Sequence, residues 1–129
     1  MTRTVADIMA TELVTFRPGA HIRGAIRTLL DNRISGAPVV DSDDNLIGIL
    51  SRKVCLKIAF VAAYHDDWDG RVRDFMVTDV KTMGADTDLV SAAKIFFGSH
   101  FRRYPVMRDG RLIGQVSRHD ILEALSAET

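Results

Sequence analysis

The chain states one pattern twice. Val5-Ala6-Asp7-Ile8-Met9-Ala10-Thr11 and Val72-Arg73-Asp74-Phe75-Met76-Val77-Thr78 stand 67 positions apart. At the same offset Thr15 matches Thr82, Ile22 matches Leu89, Pro38 matches Pro105 and Val39 matches Val106. One residue is then lost in a turn. At an offset of 66, Leu46-Ile47-Gly48 matches Leu112-Ile113-Gly114, and Ser51-Arg52 matches Ser117-Arg118. A repeat constrains a fold more tightly than any local propensity, because both copies must be able to take one shape. Two copies are too few for a solenoid, and a unit of about 60 residues is marginal alone. The copies are therefore expected to bury apolar faces against each other with pseudo-two-fold symmetry, leaving clefts between them that can hold ligands.

Each repeat reads as strand, helix, strand, turn, strand, helix, an α+β organisation with a small three-stranded sheet. The first helix of repeat one carries Ile22, Ala25, Ile26, Leu29 and Leu30; that of repeat two carries Leu89, Ala92, Ala93, Phe96 and Phe97. Both follow the i, i+3, i+4, i+7, i+8 spacing of a helix with one buried face. Asp86-Thr87-Asp88 supplies cap chemistry before the second of these helices. Residues 37–40 and 104–107 read as short strands, with each proline at a strand start or edge because it cannot donate to the ladder. Asp109-Gly110 is a two-residue hairpin signal. Residues 53–64 are apolar on nearly every face, which predicts burial on every face, between the repeats or between subunits. Residues 118–127 are more polar. The intervening His65-Asp66-Asp67-Trp68-Asp69-Gly70 has no counterpart elsewhere and reads as a solvated linker anchored by Trp68. The division is residues 5–60, a linker over 61–71, and residues 72–126.

Composition narrows the function. The 17 basic and 17 acidic residues cancel, and no half is strongly basic, which argues against a nucleic acid or an anionic membrane held by bulk charge. Cys55 is the single cysteine, so no intramolecular disulfide can form and a reducing cytoplasm is the expected location. Residues 1–10 hold no apolar signal-peptide core, and the longest apolar run, residues 58–63, is far too short to span a membrane. Cys55 lies in an apolar helix with nothing nearby to lower its pKa. The acidic linker lacks the ligand spacing and central glycine of a calcium loop. Neither a nucleophile–base pair nor a metal-ligand set is present, so no enzyme and no metal site are expected.

The sharpest chemical feature is Gly114-Gln115-Val116-Ser117-Arg118-His119-Asp120, where a strand hands over to a helix. Such a turn presents free backbone N–H groups at the positive end of a helix, a natural place for an anion. The Ser117 hydroxyl can bond a phosphate oxygen. Asp120, one turn later, offers acceptors suited to the paired hydroxyls of a ribose. Arg118 and His119 add positive charge. The same Ser-x-x-Asp pattern is also a capping box, which needs no ligand. The two readings stay open on these residues alone.

The whole arrangement resembles a CBS domain pair, the cystathionine β-synthase domain family whose paired form is called a Bateman module. The resemblance rests on two copies of strand, helix, hairpin and helix, on the Val-x-Asp openings, and on Gly-x-h-Ser-x-x-Asp (h apolar) closing the second copy at residues 114–120, where Gln115 departs from the apolar residue the pattern wants. It runs over about 115 residues, from Val5 to Leu125. It implies a non-enzymatic regulatory module binding an adenosine ligand in the inter-repeat cleft: AMP, ADP or ATP, with S-adenosylmethionine less favoured beside so many arginines. It also implies a disc-like homodimer. By resemblance Asp120 would hold ribose, Ser117 ribose or phosphate, and Arg118, His119 and Arg103 phosphate. Tyr104 and Pro105 would border adenine, and Thr82 the base or phosphate. Repeat one departs from the pattern: Val54 stands where the ribose aspartate belongs, leaving Thr15, Ala37, Pro38, Ser51, Arg52 and Lys53 as a degenerate second site. The alternative is a ligand-free dimerisation or docking module, with Ser117 and Asp120 only a helix cap.

Overall fold

Two antiparallel hairpins organise the protein, whose computed structural model describes residues 2–65 and 68–127. In repeat one, β1 (Gly36–Val40) pairs with β2 (Leu46–Ser51). In repeat two, β4 (Arg103–Arg108) pairs with β5 (Arg111–Ser117). The second hairpin turns through Asp109 (φ 52°) and Gly110 (φ 80°), two positive φ values in the mirror-image turn that matches strand twist. The same irregularity recurs at equivalent places, between Val39 and Val40 and between Val106 and Met107.

The third strand is present in one repeat and reduced to a single bridge in the other. β3 (Met83–Gly84) runs parallel to β4, and Ala85 N–H extends the ladder to the Met107 carbonyl at 2.9 Å. In repeat one only Phe16 bridges to Val39. The residue matching Ala85 is Pro18, which has no N–H to give. The expected three-stranded sheet is therefore two-stranded in repeat one. β4 is central only from Val106 onward, so Pro105 lies where no third strand requires its missing donor.

Helices α2 (Ile22–Asn32) and α5 (Leu89–Phe97) follow the predicted stripes. His21 caps α2 by accepting from Arg23 N–H at 3.3 Å, and Asp88 caps α5 by accepting from Ser91 N–H at 2.8 Å. The buried stripe is narrower than predicted. Leu30 and Phe97, equivalent positions, are exposed instead of packed in the core. α3 (Arg52–His65) departs further: within the chain only Cys55 and Ala62 are buried, against the expectation of burial on every face. α6 (Arg118–Ala127) buries Ile121 and Ala124. α3 continues through His65, Arg23 lies over the Trp68 ring at 5.2 Å, and Asp66 and Asp67 of the linker lie outside the described residues.

The packed units do not follow the order of the repeats along the chain. One unit comprises Met1–Leu13 with Lys81–Thr129; the other is Val14–Val80. The opening of repeat one, which forms the short helix α1 (Val5–Ile8), joins repeat two. Val5 N–H donates to the Thr87 carbonyl at 2.9 Å, and Ala10 exchanges two 2.9 Å bonds with Gln115. Val5 sits in the core with Met83, Leu89, Val106, Val116 and Ile121. The opening of repeat two, α4 (Val72–Phe75), does the same for repeat one: Val77 exchanges bonds with Ile49, and Val72 packs with Phe16, Ile22, Leu29, Val39 and Leu50.

The caps carry a pH prediction. The Ser91 backbone N–H, then its hydroxyl, hold the Asp88 carboxyl below its ordinary value. The Asn45 backbone N–H does the same for Asp41 in the first hairpin turn. A depressed folded-state pKa gives stability that is complete above the ordinary value near 3.8 and lost as pH falls through the lower one. Thermal melts from pH 6 to pH 3 should therefore fall less steeply for Asp88→Asn, which keeps the cap but does not titrate. Parallel curves would show that the cap is not protonated in this range.

Candidate functional site

The Ser117–Asp120 corner is built by β5 running directly into α6. Ser117 is the last residue of β5 and pairs with Arg103, the first of β4. Ser117 N–H donates to Asp120 Oδ2 at 2.9 Å, and Asp120 N–H donates to Ser117 Oγ at 3.1 Å. This is a complete capping box. It engages one carboxylate oxygen; Oδ1 has no protein hydrogen-bond partner among the described residues. A carboxylate offers about four lone-pair sites, so the cap fixes the Asp120 rotamer and leaves acceptors for a ligand. Cap and binding site are compatible roles of one side chain.

The surrounding side chains divide by exposure. Thr82 is exposed immediately before β3, whose first residue, Met83, pairs with Val106. Arg103 is exposed beside Ser117. Arg118 is anchored: its backbone N–H donates to the Arg102 carbonyl at 2.9 Å and its Nη2 to the Ser99 carbonyl at 2.8 Å. His119 Nε2 lies 3.1 Å from Glu123. Tyr104 and Pro105 are buried, Tyr104 edge-on to Phe96 and Phe101 at 5.1 and 5.6 Å. Their shared strand thus presents main chain at this corner. All of the residues expected from the second repeat lie in one packed unit.

The equivalent corner of repeat one keeps the frame and lacks the chemistry. Arg52 N–H donates to the Ser35 carbonyl at 2.8 Å, as Arg118 does to Arg102. Ser51 Oγ accepts from Val54 N–H at 3.3 Å, but Val54 has no acceptor to return the bond. Thr15, Arg52 and Lys53 are exposed and Ala37 and Pro38 are buried. The sequence reading overlooked a second loss: opposite Ser51 stands Gly36, in the place Arg103 occupies in repeat two. The signal was available at the 67-residue offset. Repeat one therefore lacks both the carboxylate and the arginine.

A groove of about 390 Å³ lies in this unit, walled by Ile26, Leu29, Leu30, Cys55 and Leu56, with Arg52 as its charged member. Its lining is nearly all apolar, which suits a hydrophobic side chain better than a nucleotide. Burial pushes the Cys55 thiol above its ordinary pKa, which keeps it protonated and poorly nucleophilic. Among the described residues no cluster of three His, Cys, Asp or Glu could hold a metal. No helix among them is long and apolar enough to cross a membrane.

Comparison with known proteins places these features in a family. The profile described as CBS domain matches residues 5–59 and again 72–127. An uncharacterized 17.7 kDa protein of Acidianus ambivalens is 29% identical over 126 residues, covering 97% of this chain and 74% of that one. The A-adding tRNA nucleotidyltransferase of Aquifex aeolicus is 31% identical over 124 residues, 96% of this chain but only 14% of the enzyme. The solved structure of CBSX2 from Arabidopsis thaliana superposes with TM-score 0.85 at 26% identity, covering 99% of this chain and 97% of that one. The structure of CBSX2 in complex with AMP gives TM-score 0.82 at 28% identity, covering 98% of each.

Proposed function

The chain belongs to the CBS domain family, and on that premise we propose that it is a non-enzymatic regulatory module binding an adenine nucleotide at the Ser117–Asp120 corner. The observation that carries this reading is the Asp120 carboxylate, held in position by Ser117 with one oxygen uncommitted. The AMP complex of a relative, CBSX2, supports the ligand class. Asp120 accepts from the ribose hydroxyls. Ser117 Oγ, already an acceptor, still has its own proton to give to a ribose or phosphate oxygen. Arg103 and the first turn of α6 meet the phosphate, with Arg118 and His119 at its margin. The strand of Tyr104 and Pro105 borders the adenine, and Thr82 reaches the base or phosphate. The arginines favour AMP, ADP or ATP over S-adenosylmethionine.

Repeat one supplies no equivalent site, because an unpaired ribose against Val54 would lose its water partners without replacement. Binding acts as a signal by favouring one of two arrangements of repeats or subunits, which requires unequal affinity for the two. We place the protein in the cytoplasm, as a pair of identical chains. Calorimetric titration with AMP should give saturable binding of one nucleotide per chain. No heat at millimolar AMP, ADP and ATP would leave the second reading, a ligand-free docking module. That reading is favoured by the completeness of the Ser117–Asp120 cap without any ligand.

A further inference from the structure

We propose that Gln115 is the residue that reads the base, pairing both groups of its side-chain amide with the 6-amino group and N7 of adenine. The inference rests on the reading of the Ser117–Asp120 corner as a nucleotide site and concerns what makes that site choose its base.

The strand places the side chain. Gln115 lies two residues before Ser117 on β5, so the two side chains leave the same face of the sheet, about 6–7 Å apart along the strand. The other face packs into the core through Tyr104 and Val116. Directly across the hairpin from Gln115 is Pro105. The Gln115 N–H and carbonyl both turn away from β4, to Ala10 at 2.9 Å each. Pro105 and Gln115 are therefore a pair without mutual hydrogen bonds, the kind whose side chains stand closest, with Cα atoms about 4.5 Å apart. Gln115 thus neighbours both the strand residue assigned to adenine and the serine beside the ribose acceptor.

Its chemistry is unmatched within the protein. Gln115 is half-buried, and its side-chain amide has no hydrogen-bond partner among the described residues. Repeat one carries Ile49 at the same place, paired with Pro38 in the same way, so the strand itself is satisfied by an apolar side chain. The amide occurs in the repeat that has Asp120, and the isoleucine in the repeat that has Val54. A glutamine amide offers one acceptor and one donor side by side. Adenine presents the complement, the 6-amino donor beside the N7 acceptor, and the two join through two bonds. Guanine presents O6 and N7, two acceptors, which leaves the amide oxygen facing an acceptor and unpaired.

Base analogues test the assignment in the full-length chain. Calorimetric titrations would use AMP, GMP and purine riboside 5′-monophosphate, which lacks the 6-amino group. The wild type should bind AMP about 5–150-fold more tightly than either of the others. This comparison needs no variant to fold. Gln115→Ile installs the residue that repeat one carries here, so it should melt close to wild type and bind the three nucleotides nearly equally. A wild type that binds none of them would overturn the nucleotide reading itself. A wild type that binds AMP and GMP equally, or a preference for AMP that survives Gln115→Ile, would overturn the role of Gln115 alone.

Discussion

Gly114→Ala is expected to cost about 1–3 kcal/mol, the range for forcing a methyl into filled space. A Cβ at this position would stand 2.8 Å from both the Ala10 carbonyl oxygen and Met9 Cγ. Met9 is flexible and can move aside. The Ala10 carbonyl cannot, because it accepts from Gln115 N–H while Ala10 N–H donates to the Gln115 carbonyl. Relief of the clash thus strips both bonds and lifts residues 5–10 from the core that Val5 completes. The melting temperature should fall by roughly 4–12 °C. Gly24→Ala is the control: its Cβ would meet nothing within 4 Å, inside α2, and should stabilise by about 0.5–1 kcal/mol. If the two substitutions shift the melt alike, the close approach of residues 9–10 to β5 does not constrain the fold.

Asp120→Ala should separate the sensor from the docking module. It removes the acceptor for Ser117 N–H, so the ligand-free protein should lose about 1 kcal/mol under either reading. Stability therefore decides nothing, and affinity does. Two hydrogen bonds from ribose hydroxyls to a charged acceptor are worth about 1.5–3 kcal/mol each, so AMP should bind about 100-fold more weakly or worse. Asp120→Asn keeps an oxygen for the cap and surrenders the charge. It should melt close to wild type yet bind about tenfold more weakly. Calorimetry on the three proteins reads the result directly. Unchanged affinity in Asp120→Ala would make this residue a cap and nothing more.

The repeat, the hairpins and the capped helices were legible because each depends on residues close in sequence: Asp109-Gly110 for a turn, Asp88 for a cap, Ile22 and Leu29 for a buried face. Ser117 and Asp120 were legible for the same reason, being one helical turn apart. Periodicity finds the side of a helix that is buried but not the breadth of the cover, so Leu30 and Phe97 were placed in the core. Pro18 was visible, but its effect depends on the hydrogen bond that Ala85 makes in the other copy. The loss of Arg103's counterpart was visible as Gly36 at the 67-residue offset, but that this residue stands opposite Ser51 needed the pairing of separate strands. Least legible was the partner of each opening segment. Similarity between residues 5–9 and 72–76 says that they do the same job, and not for which repeat they do it.

That exchange has a consequence for the order of events during synthesis. Residues 14–80 are contiguous, so one unit has all of its parts once residue 80 has left the ribosome. The other must join residues 1–13 to residues 81–127, closing a loop across the whole intervening segment. Val5 and Ile8 emerge before residues 14–80 and wait for a core that is made after them. Prior folding of residues 14–80 shortens that wait by replacing a long flexible tether with a compact one. Residues 5–10 are made before residues 14–80 yet placed after them, and a nascent chain stalled before residue 117 would carry them uncovered.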